Sequence, residues 1–272
     1  MITSDCHMHT AFSEDGHTAP EVMAEKAIEK GLKMICITDH LDLDYPISGG
    51  LGTESYSPDL DEYFQKLEKM RQEFSCRLEI RKGVEFGMQP HLGEKCRELA
   101  KNYPLDFVIG SVHLVQHTDP YYGEIFERKG DGEAYQIMFE EILKCIENTE
   151  DFDVVGHIDY IVRYGKRQAE AYSYAAFAPI LDEILRKVIR MGKGIELNTS
   201  GWKYGLGFCH PHPEVLRRYR ELGGEIITVG SDAHGPEHVA YDFARAEKVL
   251  VDCGFTYYTE FKERKPIFKK ID

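Results

Sequence analysis

Residues 4–16 read SDCHMHTAFSEDG, which puts His7 and His9 one residue apart, with Asp5 before them and Asp15 after. Imidazole and carboxylate groups at this density are ligands for a divalent cation. Alone, the segment could be a local metal clip, a polar surface stretch or one corner of a larger site. The rest of the chain favours the third reading. Asp39 and His40 close MICITDH, Glu85 falls at the end of LEIRKGVEF, and His113 closes DFVIGSVH. His157 closes DVVGH, and Asp232 and His234 close EIITVGSDAH. A lone histidine at such a place usually serves a hydrogen bond, and HxH spacing occurs by chance, as in CHPHP with His210 and His212. Independent accidents do not all land at the same end of successive apolar runs. His17, His91, His117 and His238 sit in loops or at helix starts and read as surface or capping groups.

Those runs are the elements that must position the ligands. Seven read as strands, over 1–7, 34–40, 78–86, 106–113, 153–157, 194–200 and 225–234, with an eighth at 255–261. Helices are expected between them at 20–30, 58–74, 91–102, 132–148, 174–191, 213–222 and 236–252. The first has Pro20 in its opening turn and Gly31 at its stop. In 174–191 the residues Phe177, Ile180, Leu181, Ile184, Leu185, Val188 and Ile189 recur at three- and four-residue steps, the apolar face of a helix laid on a sheet. Strand–helix units repeating at about 30 residues predict a mostly parallel sheet. No linker or low-complexity tract divides the chain, so one closed (β/α) barrel domain over 1–272 is expected, with an open doubly wound sheet as the alternative. In a barrel the strand ends share one rim, where active sites assemble. The stretches 41–57 and 114–131 lack strand character and follow strand ends, as covering loops would.

Composition narrows the function. The 272 residues carry a formal net charge of −14, which repels phosphodiester backbones and argues against nucleic-acid binding. A phosphorylated small molecule remains compatible, because bound cations reverse the sign locally. No run approaches the ~20 apolar residues of a membrane span, and MITSDCHMHT lacks the basic start and apolar stretch of a signal peptide. A cytoplasmic protein is expected. Seven scattered cysteines without CxxC spacing suggest neither a disulfide framework nor a thiolate zinc site. Imidazole–carboxylate ligation suits zinc, manganese or ferrous iron. Two such ions about 3.5–4 Å apart can share a hydroxide that attacks near neutral pH, which reads as a multinuclear hydrolase.

The ordered set DCHMHT, SEDG, ITDH, GVE, GSVH, GHID and GSDAH resembles the polymerase-and-histidinol-phosphatase (PHP) superfamily over nearly the whole chain. GSVHLV, GHIDYIVRYG, ELNTSGWKYG and the ending GF…F…RKP look most like its monofunctional histidinol phosphatases. The resemblance implies a distorted (β/α)7 TIM-like barrel of the PHP type with up to three divalent metal ions (Zn, Mn or Fe) at the strand C-terminal rim. It assigns His7, His9, Glu85 and Asp232 to a first ion, with Glu85 bridging to a second completed by His113 and His157. Asp15, His40 and His234 are assigned to a third. A metal-bridging hydroxide held by Glu85, His113 and Asp232 is the implied nucleophile. The positive charge left over after Asp15, Glu85 and Asp232 favours a phosphate monoester dianion over a diester.

The expected activity is therefore hydrolysis of a small phosphate monoester, foremost L-histidinol phosphate. A phosphoesterase acting on nucleotides or a non-catalytic metal-binding barrel are the rivals. A nucleotide enzyme should show a basic groove or an attached polymerase domain, and a lost activity should show replaced ligands. Neither is present. Arg163 and Lys203 are candidate phosphate clamps. Asp39 is expected to orient His40, and Asp5 to lie behind the ligands. Asp42, Asp44, Tyr45, Tyr121, Tyr122 and Glu127 are candidates for reading the imidazole and ammonium ends. Oligomeric state is not legible.

Overall fold

A computed structural model describes residues 1–46 and 52–271. Its strands are β1 (Ser4–Asp5), β2 (Met34–Ile37), β3 (His40–Pro46), β4 (Thr53–Tyr56), β5 (Glu79–Gly87), β6 (Phe107–Ser111), β7 (Val154–Val155), β8 (Gly194–Asn198), β9 (Ile227–Gly230), β10 (Tyr257–Lys262) and β11 (Lys265–Lys270). The helices are α1 (Pro20–Glu29), α2 (Leu60–Glu73), α3 (Gly93–Asn102), α4 (Glu124–Lys129), α5 (Asp131–Asn148), α6 (Tyr174–Arg190), α7 (Ser200–Lys203), α8 (Pro213–Glu221) and α9 (Phe243–Asp252).

Helix stops feed the strands directly. After α1, Gly31 takes a φ of +80°, a conformation disfavoured for L side chains. Its N–H donates to the Ile28 carbonyl at 2.9 Å while the Leu32 N–H donates to Ala27 at 3.0 Å. The last carbonyls are thereby satisfied and the chain turns into β2 within two residues. Gly192 repeats the device after α6, with Lys193 N–H on the Val188 carbonyl at 3.1 Å, and leads straight into β8. The periodic face of α6 is buried as its spacing predicts: Phe177, Ile180, Leu181, Ile184, Leu185 and Val188 are all in the core.

The strands run β1-β2-β5-β6-β7-β8-β9, and every neighbouring pair on this path is parallel. Backbone bonds then join the last strand's end to the first: Cys6 N–H to Val229 at 2.9 Å, Asp232 N–H to His7 at 2.8 Å and His9 N–H to Ala233 at 2.8 Å. The sheet nearly closes into a barrel, which removes the open doubly wound alternative.

Several expectations need correction. The stretch 41–57 is not strandless, because β3 and β4 form an antiparallel hairpin in it; residues 47–51 of it lie outside the described residues. The chain leaves β2 at Thr38 and rejoins β5 where His40 pairs with Glu85 and Leu41 with Phe86, so pairing overrides the Asp- and Pro-rich composition. By contrast 114–131 holds no strand, as expected, but contains a 3-10 turn, Pro120–Tyr122, and α4. The helix expected over 236–252 begins only at Phe243, because Ala240 and Asp242 take left-handed φ values of 53°. Residues 255–261 are no eighth barrel strand. They enter β10, which pairs antiparallel with β11 in a separate hairpin.

That hairpin closes the end of the barrel where the strands begin. Phe261 packs into a buried cluster with Cys6, Met34, Cys36, Phe107, Ile109 and Val154, its ring stacked on Phe107 at 5.0 Å. The turn is held by two acids of the barrel. The Glu263 N–H donates to Asp106 Oδ1 at 3.0 Å, and the Arg264 guanidinium to Asp153 Oδ2 at 2.5 Å.

Candidate metal centre and cleft

All nine rim residues singled out from the sequence converge at the opposite end. The two nitrogens of each HxH ring divide the work. His7 Nδ1 faces Glu196 Oε1 at 2.6 Å and His9 Nδ1 faces Ser13 Oγ at 3.0 Å, which leaves their Nε2 atoms 3.0 Å apart and pointing inward. Glu85 lies between two imidazole pairs. Its Oε1 is 2.8 Å from His157 Nε2 and 3.3 Å from His113 Nε2, while Oε2 is 3.4 Å from His7 Nε2, 3.5 Å from His9 Nε2 and 3.0 Å from His40 Nδ1. Asp232 Oδ1 faces the same HxH pair at 3.8 and 3.5 Å. Toward solvent, Asp15 stands 3.8 Å from His40 Nε2 and 3.1 Å from His234 Nε2. The His9 ring lies between those of His40 and His234, with centroids 4.2 and 4.1 Å away.

The electrostatics of this cluster call for cations. Burial opposes charge on Glu85, yet the His7, His113 and His40 imidazoles hold its carboxyl well below the usual range. Burial likewise opposes charge on His113, and Asp42 and Glu85 overcome it, raising its pKa to about 10. Burial and the neighbouring His234 and His40 push His9 the other way. Glu85 Oε2 lies 3.0 Å from His40 Nδ1 and His234 Nε2 lies 3.1 Å from Asp15 Oδ2, yet none of these buried side-chain atoms of Glu85, His40 and His234 makes an aligned hydrogen bond, which native interiors rarely tolerate. Donor atoms of His7, His9 and Glu85 lie within 4.8 Å of one another, as do those of Glu85, His113 and His157, and those of His9, His40 and His234. Buried, poorly aligned donor atoms and a mixed imidazole–carboxylate set together fit divalent cations.

The groups that hold the rim side chains were harder to foresee. Glu196, in the middle of β8, fixes His7 and also accepts the His157 backbone N–H at 3.0 Å. A glutamate inside the apolar run GIELN was the available signal. Asp42, a candidate for reading substrate, lines the cleft and also holds His113 Nδ1 at 2.7 Å. Asp39 does not touch the His40 ring. It accepts from Thr10 and from Ser13 Oγ, at 2.7 Å for the latter, and so acts on His9 through Ser13. Asp5 accepts from Ser231 N–H and Oγ at 2.9 and 2.5 Å, pinning the turn in which Asp232 adopts a left-handed φ of 54°. Two glycines make room for these carboxylates. A Cβ on Gly230 would lie 2.4 Å from Glu196 Oε1, and one on Gly87 would lie 1.9 Å from Asp42 Oδ1.

A cleft of about 560 Å³ opens over the cluster, lined by Asp15, His40, Glu85, His113, His157, Asp232 and His234 at its floor. Arg163 lines it too, its guanidinium 4.8, 4.9 and 4.5 Å from the ring centroids of Tyr160, Tyr164 and Tyr204. Lys203 does not; its Nζ donates to the Asp232 carbonyl at 3.2 Å. Tyr45, Tyr121 and Tyr122 line the outer wall together with Asp119, which accepts from Tyr45 Oη at 2.7 Å. Asp44 is engaged outside the cleft with His91, and Glu127 is exposed beside Lys166.

Fold and rim together define a metal-binding (β/α) barrel. Comparison with known proteins makes this specific: the sequence matches the PHP domain over residues 5–200, and the chain belongs to that family. It is 31% identical over 267 residues to a probable histidinol-phosphatase of Clostridium acetobutylicum, covering 97% of this chain and 95% of that one. It is also 31% identical over 271 residues to the histidinol-phosphatase of Lactococcus lactis subsp. lactis, covering 97% and 96%. The crystal structure of the Lactococcus lactis histidinol phosphate phosphatase, complexed with zinc, L-histidinol and phosphate, superposes with a TM-score of 0.87 at 30% identity, covering 97% of this chain and 98% of that one.

Proposed function

We propose that this chain hydrolyses L-histidinol phosphate to L-histidinol and inorganic phosphate, using divalent cations held at the barrel rim, in the cytoplasm and as a single barrel domain. The observation that carries the reading is Glu85, whose Oε1 faces His113 and His157 while its Oε2 faces His7, His9 and His40. That is the arrangement a carboxylate needs to bridge two cations. In this reading His7, His9, Glu85 and Asp232 hold one ion, Glu85, His113 and His157 a second, and Asp15, His40 and His234 a third, drawn from zinc, manganese and iron. When bound, the ions supply Lewis-acid polarisation of the phosphoryl oxygens and an activated water for in-line attack.

The chain's own residues do the rest. Glu196, Asp42 and Ser13 hold the Nδ1 atoms of His7, His113 and His9, so that each ring presents Nε2 to the floor. Arg163 has its guanidinium in the cleft and can grip two phosphoryl oxygens at once. Lys203, bonded to the Asp232 carbonyl, adds positive charge beside the floor rather than a direct clamp. The tyrosine-lined outer wall is apolar enough for an imidazole, and Asp119 supplies a carboxylate for a cationic amine.

The test is phosphate release from histidinol phosphate, a nucleoside monophosphate and p-nitrophenyl phosphate, with metal content measured in parallel. Histidinol phosphate should be strongly preferred. Comparable rates on all three would overturn the substrate, and a metal-loaded protein inert toward all three would overturn the activity.

A further inference from the structure

The motif CHPHP contributes no ligand to the rim, yet its first histidine is as deeply buried as any residue in the chain. His210 and Asp159 are both fully inaccessible and meet at 2.6 Å, Nδ1 to Oδ1. The second Asp159 oxygen accepts the His212 backbone N–H at 2.7 Å. Asp159 thus ends up with both oxygens spent on the 210–212 loop. A charge-assisted bond this short and dry is strong and directional.

What it fixes lies on either side. Asp159 immediately precedes the 3-10 turn Tyr160–Tyr164 that carries Arg163, and its own carbonyl accepts the Val162 N–H at 3.0 Å. The far side of the turn is tied by Gln168, whose amide donates to the Arg163 carbonyl at 2.8 Å. The His210 backbone exchanges two bonds with Asn198 at the end of β8, at 2.7 and 2.8 Å. The dyad therefore fastens the Arg163 turn to the strand that carries Glu196. The third ring against Arg163, Tyr204, also follows β8.

We infer that His210 and Asp159 are positioning residues for Arg163, setting the place of its guanidinium over the metal floor and hence the grip on the phosphoryl group. The inference rests on the reading of Arg163 as the phosphate clamp. It assigns the pair an effect on phosphate binding and none on metal loading, since among the described residues neither side chain hydrogen-bonds the ring of a rim histidine.

The experiment compares His210→Asn with His210→Gln in the metal-loaded protein. The Asn amide nitrogen falls near the imidazole Nδ1 position and still donates to Asp159; the Gln nitrogen falls at the Nε2 position and cannot. His210→Gln should raise both KM for histidinol phosphate and the inhibition constant of inorganic phosphate by about tenfold, the scale of a clamp displaced by a fraction of an ångström. Its kcat and metal content should hold, and His210→Asn should stay near wild type. Equal impairment of the two variants, or a loss of kcat with phosphate inhibition unchanged, overturns the inference. Arg163→Gln is measured beside them. If it raises both constants and His210→Gln does not, the inference alone fails; if it raises neither, the clamp reading fails and takes the inference with it. Should His210→Gln not fold, Asp159→Asn removes the charge at unchanged shape and should raise the same two constants; no change there also overturns the inference.

Discussion

Where the strands finish, the barrel buries imidazoles and carboxylates against one another: Glu85, His7 and His9 are fully inaccessible, and Asp232 and His157 nearly so. Where the strands begin, Phe261 closes the interior over two cysteines, a methionine and a phenylalanine. The first end is costly, because charged groups leave water and some keep unpartnered atoms. The second gains stability from every apolar contact it makes. The same sheet serves both, so fold stability and chemistry should be separable by substitution at one end or the other.

The largest separation is expected at Glu85. Glu85→Gln keeps size but loses the charge between the imidazole pairs, so turnover should fall by at least about 10³-fold, roughly 4 kcal/mol of barrier, with metal content reduced and far-UV circular dichroism unchanged. Retained turnover would erase the contrast. At the other end, Phe261→Ala should cost about 3 kcal/mol in denaturant unfolding while the folded fraction keeps its turnover and metal content.

Glu196→Gln probes the rim one layer down. Losing the carboxylate on His7 Nδ1 should weaken metal affinity or turnover by about 10–100-fold, read by metal titration. The smallest effect belongs to neither end. Asp182 on α6 accepts from Arg218 of α8 at 2.8 Å and from Arg186 at 2.7 Å. These bonds, with Tyr174, lower its pKa to about 2. A carboxyl depressed in the folded state stabilises above its unfolded value near 4 and loses that contribution as pH falls toward 2. In denaturant unfolding, Asp182→Asn should cost about 1 kcal/mol at neutral pH, a small fraction of that near pH 2 and nothing well below it.

The contrast between the ends also marks how far the sequence could be read. Rim residues were legible because ligand types fall at the ends of apolar runs, and a repeated strand–helix rhythm puts those ends together. The α6 face was legible from its period. The plug was not, since FTYYTEF has the composition of a barrel strand and only its partner β11 shows that it folds back on itself. Glu196, and the hold of Asp42 on His113, were not legible for a related reason: the side of a ring that each would hold depends on register, His40 opposite Glu85 and Glu196 opposite Thr228, which no local pattern encodes. Asp39 was assigned to its sequence neighbour His40, whereas the fold brings it to Ser13.

The central claim is that the paired imidazoles around Glu85 hold the cations that hydrolyse histidinol phosphate. It is tested most directly by stripping the protein with a chelator and titrating zinc or manganese back while following phosphate release from histidinol phosphate. Turnover should be absent in the stripped protein and return only as two or more ions bind per chain. Turnover that survives stripping, or a protein that refills its ions and stays inert toward histidinol phosphate, would contradict the account.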